Sequence, residues 1–270
     1  MNNEQGRYTK VKDVFTDSIE TGDFIRLDSS NLFYNQVIES IQKPLKMILV
    51  FGEPGTGKTI LLNKIYHDLK EDMDIHYIPT PLTEETRFYQ KLSGMLTKGV
   101  MKTSDFSKLS DICHKLKGKK EHVVILDEAQ LYNENIMESV RLLSDIRSIK
   151  FIITLHKTSK EDVVAKQQFK TRIWESVVLQ NATKADLMQY VQKKLLNRNY
   201  YELAGIIKNK DIAFIYQFTK GNFRETNKFM YTLFTIYDYY DKNAPSKIKY
   251  NALSKKLLEM TAIKLGYIHA

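Results

Sequence analysis

The sequence predicts an α/β fold with a parallel sheet, followed by a smaller all-helical domain. Three observations carry that expectation. Short segments apolar on both faces alternate with amphipathic helical stretches between residues 47 and 179, the pattern of strands covered by helices on both sides. A glycine-rich turn joins the first such strand to the first helix of the series. After about residue 181 the β signal stops and only helical periodicity continues.

Taken in order, residues 1–45 are mixed and polar. Leu32, Phe33, Tyr34, Val37 and Ile41 are spaced for a short helix packing on the main domain. Met47-Ile-Leu-Val-Phe51 is the first strand, and residues 58–70 the helix after it. A strand at 75–79 follows, with Pro79-Thr-Pro81 shaping its exit, and then helices at 83–97 and 104–117. His122-Val-Val-Ile-Leu126 is a third strand, 134–146 a helix, Phe151-Ile-Ile-Thr154 a fourth strand, 161–168 a short helix and Ser176-Val-Val-Leu179 the last strand. Asn181 or Thr183 can cap a helix to about 197, with Leu187, Tyr190, Val191 and Leu195 on one face. Helical patterns then cover 199–208, 211–219, 223–240 and 250–265. The expected domains are therefore an N-terminal segment 1–45 packed on the core, an α/β domain 46–180 with five parallel strands, and a helical domain 181–270. The aromatic run Phe229–Tyr240 reads as helix packing in preference to a base-stacking platform.

Composition narrows the function classes. The chain has 270 residues, 31.6 kDa, 43% hydrophobic and 27% charged, enough for a full core. No apolar run approaches the ~18 residues that span a bilayer, and MNNEQGRYTK lacks a secretory layout. One cysteine, Cys113, makes no internal disulfide, so a reducing, cytoplasmic setting is expected. The net charge of +9 is uneven: residues 1–150 hold 21 Lys and Arg against 22 Asp and Glu, residues 151–270 hold 20 against 10, and residues 181–270 hold 15 against 7. Such a surplus suits a polyanionic partner, although a lysine-rich composition, with eight arginines among 41 basic residues, gives the same number. Cys113-His114 has no second ligand pair at zinc spacing. Lys115, Lys117, Lys119 and Lys120 around Gly118 end a helix, with DNA contact as the alternative.

Two motifs carry chemistry. Gly52-Glu53-Pro54-Gly55-Thr56-Gly57-Lys58-Thr59 fits G-x-x-x-x-G-K-[ST], the Walker A phosphate loop, in its required place between strand and helix. Its glycines let backbone N–H groups turn toward phosphates, and the helix N-terminus adds positive potential. Lys58 is placed to hold the β- and γ-phosphates and Thr59 to ligate Mg²⁺. Val123-Val-Ile-Leu-Asp127-Glu128 is the matching Walker B strand. It delivers Asp127 to the metal through its water shell and Glu128 to the water that attacks the γ-phosphate, which implies hydrolysis of ATP.

Asp127-Glu128-Ala129-Gln130, followed by Glu138-Ser-Val-Arg141-Leu142-Leu143-Ser144, resembles the AAA+ ATPases. Within them it is similar to the ExeA-type secretion group and its TniB- and MuB-like transposition relatives. Gln168-Phe-Lys-Thr-Arg172-Ile173, Tyr190 with its helix, and Gly221-Asn222-Phe223-Arg224 extend the resemblance over roughly residues 25–235. The resemblance implies that Arg172 is the arginine finger that reaches a neighbour's γ-phosphate in an oligomer, and that Arg224 is the lid arginine sensing nucleotide in its own subunit. It also implies a polar sensor 1 at the end of the fourth strand, where His156 is the first counterpart and Thr154 the alternative. Phe223 and Glu225 depart from the family's usual G-x-P-R-R. Independently, Arg172, Arg198 and Arg224 are the three arginines among the last 20 basic residues, and bidentate phosphate contact is what arginine does better than lysine.

The expected activity is oligomerisation-dependent ATP hydrolysis with Mg²⁺, energising or assembling a secretion, type IV pilus-like or DNA-uptake machine. The alternative is a DNA-binding, ATP-dependent transposition or recombination regulator. Expected partners are further copies of the chain, with machinery proteins or with DNA through the basic lid. The expected location is cytoplasmic, with peripheral attachment at the inner membrane through a partner.

Overall fold

A computed structural model describes residues 7–119, 121–156 and 173–269. The chain divides into two units: residues 32–180, and residues 1–31 together with 181–270.

The first unit is built on a sheet of β1 (Met47–Gly52), β2 (Ile75–Ile78), β3 (His122–Leu126), β4 (Ile149–His156) and β5 (Ile173–Leu179). Every pairing is parallel and the order is β2-β3-β4-β1-β5. β1 and β3 are buried along their whole length, as their unbroken apolar runs require. Alternation sends Leu49, Phe51, Val124, Leu126, Phe151 and Ile153 into one core. That core is shared with α3 (Glu85–Leu96), α4 (Phe106–Leu116) and α5 (Glu134–Ile146). Leu61, Leu62 and Ile65 are the buried face of α2 (Lys58–Leu69). α1 (Asp28–Gln42) buries Val37 and Ile41 while Leu32, expected on that face, is exposed. Asp105 caps α4 by accepting from Lys108 N–H, and Asn133 caps α5 by accepting from Ile136 N–H.

β4 runs further toward its N-terminus than the apolar pattern predicts because Lys150, a charged residue, is fully buried in it. Its ammonium donates to the carbonyls of Ile41 and Lys43, the latter at 2.8 Å, and to Glu121 Oε2 at 3.0 Å. It thereby caps the Ile41 carbonyl at the C-terminus of α1 and the Lys43 carbonyl just past it. The lysine cluster after α4 is a helix end: α4 stops at Leu116 and Gly118 has φ +77°, while Lys120 lies outside the described residues, as does the helix expected at 161–168.

The second unit holds α6 (Lys184–Asn197), α7 (Tyr201–Ile206), α8 (Asn209–Thr219), α9 (Phe223–Asn243) and α10 (Lys255–Lys264). Of the two expected caps of α6, Thr183 is used: its hydroxyl accepts from Asp186 N–H at 3.1 Å, and Asp186 accepts from Thr183 N–H at 3.2 Å. Gly221 has φ +78°, and a Cβ there would stand 1.9 Å from the carbonyl oxygen of Ala182. Only glycine allows the Ala182 N–H to reach the Gly221 carbonyl at 3.0 Å. Asn222 then caps α9 by accepting from the N–H groups of Arg224 and Glu225. The last helix begins at Lys255, later than the pattern suggested, because Ser254 N–H is held by the Tyr237 hydroxyl at 2.6 Å.

The N-terminal segment corrects the sequence reading. Residues 1–45 are not one body packed on the α/β core: Tyr8, Val11, Phe15, Ile25 and Leu27 are buried among the C-terminal helices. The aromatic run of α9 receives them. Phe229, Phe234 and Tyr237 are buried, with Tyr8–Tyr237 centroids 5.0 Å apart and Phe15–Phe234 5.8 Å apart. Periodicity marks these residues as apolar but does not say which of two cores takes them. Asp17 and Asp23 come with the segment, so this unit holds 19 basic residues against 13 acidic.

Candidate nucleotide site

The Walker residues stand at the C-terminal ends of β1 and β3 in the α/β unit, with β4 between the two strands. β1 ends at Gly52, and the loop to Lys58 turns with φ +83° at Gly55 and +89° at Gly57. Gly57 stands at the N-cap of α2 and has no side chain to cap that helix, so its first turn presents backbone donors to the loop's interior. Lys58 is buried, its ammonium donating to the carbonyls of Gly52 at 2.7 Å and Glu53 at 3.0 Å. Thr56 is also buried and donates to the Glu53 carbonyl, and Thr59 is half-buried in the first turn of α2. Glu53 and Pro54 form the exposed outer lip of the loop.

β3 delivers Asp127, nearly inaccessible, and Glu128, whose carboxylate is partly open with its backbone at φ +49°. The Asp127 carboxylate is held by three donors. Oδ1 accepts from Thr154 Oγ1 at 2.5 Å and from Glu128 N–H at 3.0 Å, and Oδ2 accepts from the Tyr77 hydroxyl at 3.0 Å. Thr154 Oγ1 in turn accepts from Glu128 N–H at 2.8 Å. Thr154 pairs with Val50 and His156 with Gly52 across β4 and β1. The His156 ring lies beside the Glu128 carboxylate, Nε2 to Oε1 3.7 Å, with Gln130 Nε2 3.3 Å from Nδ1. Of the two sensor 1 counterparts, Thr154 thus contacts Asp127 and His156 faces Glu128. Burial, then the Asp127 charge and hydrogen bond, push the Tyr77 phenol well above its ordinary range.

The donor set fits a hard divalent cation. Thr59 and Asp127 offer oxygen ligands of the kind Mg²⁺ prefers. Among the described residues no group of three His, Cys, Asp or Glu could hold a metal. Cys113 is buried and its thiol pushed up to about 12 by burial, the state of a core residue and not of a metal ligand.

Arg172 lies outside the described residues. Arg224 belongs to the helical unit, where its Nε stands 3.5 Å from Asp17 Oδ2. Asp17 also accepts from Asn227 Nδ2 at 3.0 Å, and Asn227 accepts from the buried Tyr190 hydroxyl at 2.9 Å. Arg141 pairs with Glu138 and, at 3.8 Å, with Asp145, so the conspicuous E-x-x-R spacing is a helix-surface ion pair. Tyr77 is the site residue that the sequence did not single out. Its position at the end of the strand preceding Walker B was the available signal.

Residues 41–162 match the family model described as an AAA domain. The chain has the AAA+ P-loop fold. Solved structures with the same AAA+ architecture include a Walker-type ATPase of Pyrococcus abyssi, at 16% identity, 94% of this chain, 78% of that one and a TM-score of 0.58. Domain III of the Thermotoga maritima replication initiation protein DnaA is similar at 16% identity over 92% and 97%, TM-score 0.51. The Aeropyrum pernix ORC1 protein, solved in complex with DNA, is similar at 12% identity over 94% and 69%, TM-score 0.59. At these identities the likeness is one of fold. No curated protein matches the sequence.

Proposed function

We propose that the chain binds ATP with Mg²⁺ and hydrolyses it to ADP and phosphate. The observation that carries this reading is the network joining Asp127, Glu128 and Thr154 at the strand ends beside the phosphate loop. Gly52 to Gly57 wrap the phosphates with backbone N–H groups, and the Lys58 ammonium exchanges the carbonyls of its own loop for the β- and γ-phosphates. Thr59 and Asp127 would hold Mg²⁺, which would supply charge neutralisation at those phosphates. Glu128 orients the attacking water and accepts its proton, and the partly open position of its carboxylate suits that task. Thr154 fixes the backbone from which Glu128 projects, and His156 sets the direction of its carboxylate.

Arg172 from a neighbouring copy completes the site, and Arg224 reports the nucleotide from the helical unit. Turnover should then rise with oligomerisation. Glu128→Gln should bind ATP and lose turnover, Lys58→Ala should lose binding, and Arg172→Ala should bind ATP without hydrolysing it. Mixing the Glu128→Gln and Arg172→Ala proteins should restore part of the activity, because a mixed interface can pair an intact Glu128 with an intact Arg172. No recovery would remove the neighbouring-copy role.

The partner class in this reading is a secretion, pilus-like or DNA-uptake machine, as the ExeA-type resemblance implies, with the protein cytoplasmic and attached through that machine. Among the described residues no helix is long and apolar enough to cross a membrane. One observation favours the second reading, a DNA-dependent regulator: residues 181–270 carry 15 basic residues against 7 acidic. Duplex DNA that stimulates turnover, with an effect falling steeply as salt rises, would select it. Turnover indifferent to DNA would leave the machine.

A further inference from the structure

Tyr77 stands next to the last residue of β2, in register with Ile125 of β3, two positions before Asp127. A carboxylate has about four lone-pair directions. Three donors, from Thr154, Glu128 and Tyr77, already hold Asp127. They grip it from two sides: Oδ1 from β4 and the chain's own next residue, Oδ2 from β2. What remains open is one direction. The Tyr77 ring lies against Tyr66 of α2, centroids 5.9 Å apart and planes tilted by 45°, and α2 is the helix that opens with Lys58 and Thr59. One side chain therefore touches the carboxylate and packs on the helix that together supply both oxygen ligands.

We propose that Tyr77 is a positioning residue for the divalent cation. By holding Oδ2 it fixes the rotation of the Asp127 carboxylate, and by packing on Tyr66 it registers that carboxylate against the helix carrying Thr59. The inference rests on the reading of this site as one for Mg²⁺ and ATP. Partners of this kind behind a metal ligand typically change metal affinity by roughly 10–100-fold when removed.

The test is Tyr77→Phe in the full chain, which keeps the ring on Tyr66 and removes only the hydroxyl. Tyr132→Phe is the comparison, since the Tyr132 hydroxyl is buried near Asp127 but has no hydrogen-bond partner among the described residues. Mn²⁺ binding to the ADP-loaded proteins, read from the free-ion paramagnetic resonance signal, should weaken roughly tenfold in Tyr77→Phe and stay unchanged in Tyr132→Phe. The Mg²⁺ concentration at half-maximal turnover should shift by the same factor, with turnover at saturating Mg²⁺ and ADP affinity in chelator both retained. Equal metal affinity in wild type and Tyr77→Phe, or equal losses in both variants, would overturn the positioning role while leaving the nucleotide site intact. A wild-type chain that binds no Mn²⁺ in the presence of nucleotide would overturn the two readings together.

Discussion

The Thr154 hydroxyl donates to Asp127 Oδ1 across 2.5 Å, deep in the sheet where neither group meets solvent. The same oxygen accepts the Glu128 N–H, so a single side chain aligns the two acidic residues of the site. Thr154→Val preserves shape and removes both bonds. It should lower turnover roughly 10–100-fold and leave ATP affinity in chelator unchanged. Thr154→Ser should recover most of the rate, because the hydroxyl alone carries the effect. Turnover of Thr154→Val equal to wild type would show that Asp127 and Glu128 hold their places without it.

The buried ammonium of Lys150 gives a second expectation. Lys150→Met keeps the apolar stem and takes this donor from the Ile41 carbonyl of α1, while the Lys43 carbonyl just past the helix still accepts from Leu45 N–H at 2.7 Å. An unpaired buried group costs ~1–3 kcal/mol, so urea unfolding should show a loss of about 2 kcal/mol. Glu121→Gln removes the same ion pair from its half-exposed side and should cost under ~1 kcal/mol. If the two variants lose equal stability, the ion pair and not the helix cap is what matters.

A pH dependence follows from His76, which stacks on His122 with Nε2 3.2 Å from His122 Nδ1. Burial, and then the charge of His122, lower its pKa to about 4, with Asp74 acting in the opposite sense and Lys98 in the same one. Between the unfolded value of 6.5 and the folded value of about 4, the unfolded chain binds a proton that the folded chain refuses. Stability is therefore full above pH 6.5, falls as pH drops toward 4, and levels off below. His76 is partly accessible, so after solvent screening the loss should be ~1–2 kcal/mol. His76→Gln should flatten this part of the stability profile, and an unchanged slope would assign the loss to other groups.

Gly221→Ala tests the turn before α9. A methyl group there would collide with the Ala182 carbonyl and force an L-residue to φ +78°. A loss of at least ~2 kcal/mol in unfolding of the helical unit is expected. A loss within ~0.5 kcal/mol would mean that the turn relaxes.

The phosphate loop, Asp127 and Glu128 were legible because each depends on a local string: glycines before a lysine, an apolar run before two acids. The parallel α/β architecture was legible for the same reason. Tyr77 was not, since its contact with Asp127 requires β2 to lie beside β3, and strand order is not written in periodicity. Lys150 hid the start of β4 because a charge inside a strand reads as exposed until its oxygen partners are known. The N-terminal apolar residues were visible, but their destination depended on the aromatic face of α9, some two hundred residues away in sequence. The glycine of the Gly221–Arg224 motif was recognised by resemblance, whereas the structure supplies its steric reason in Ala182.

Because Tyr8 packs on Tyr237 and Phe15 on Phe234, the helical unit is knitted from stretches translated before and after the whole α/β unit. The α/β unit has all of its strands in hand before the final helices are translated, and it can fold while the chain is still growing. The opening stretch must meanwhile wait, its apolar side chains bare, until α9 emerges. A nascent chain arrested before residue 223 should therefore carry a folded α/β unit and leave Tyr8, Val11 and Phe15 open to chaperones and proteases. Residues 8–27 therefore mature later than the α/β unit that follows them.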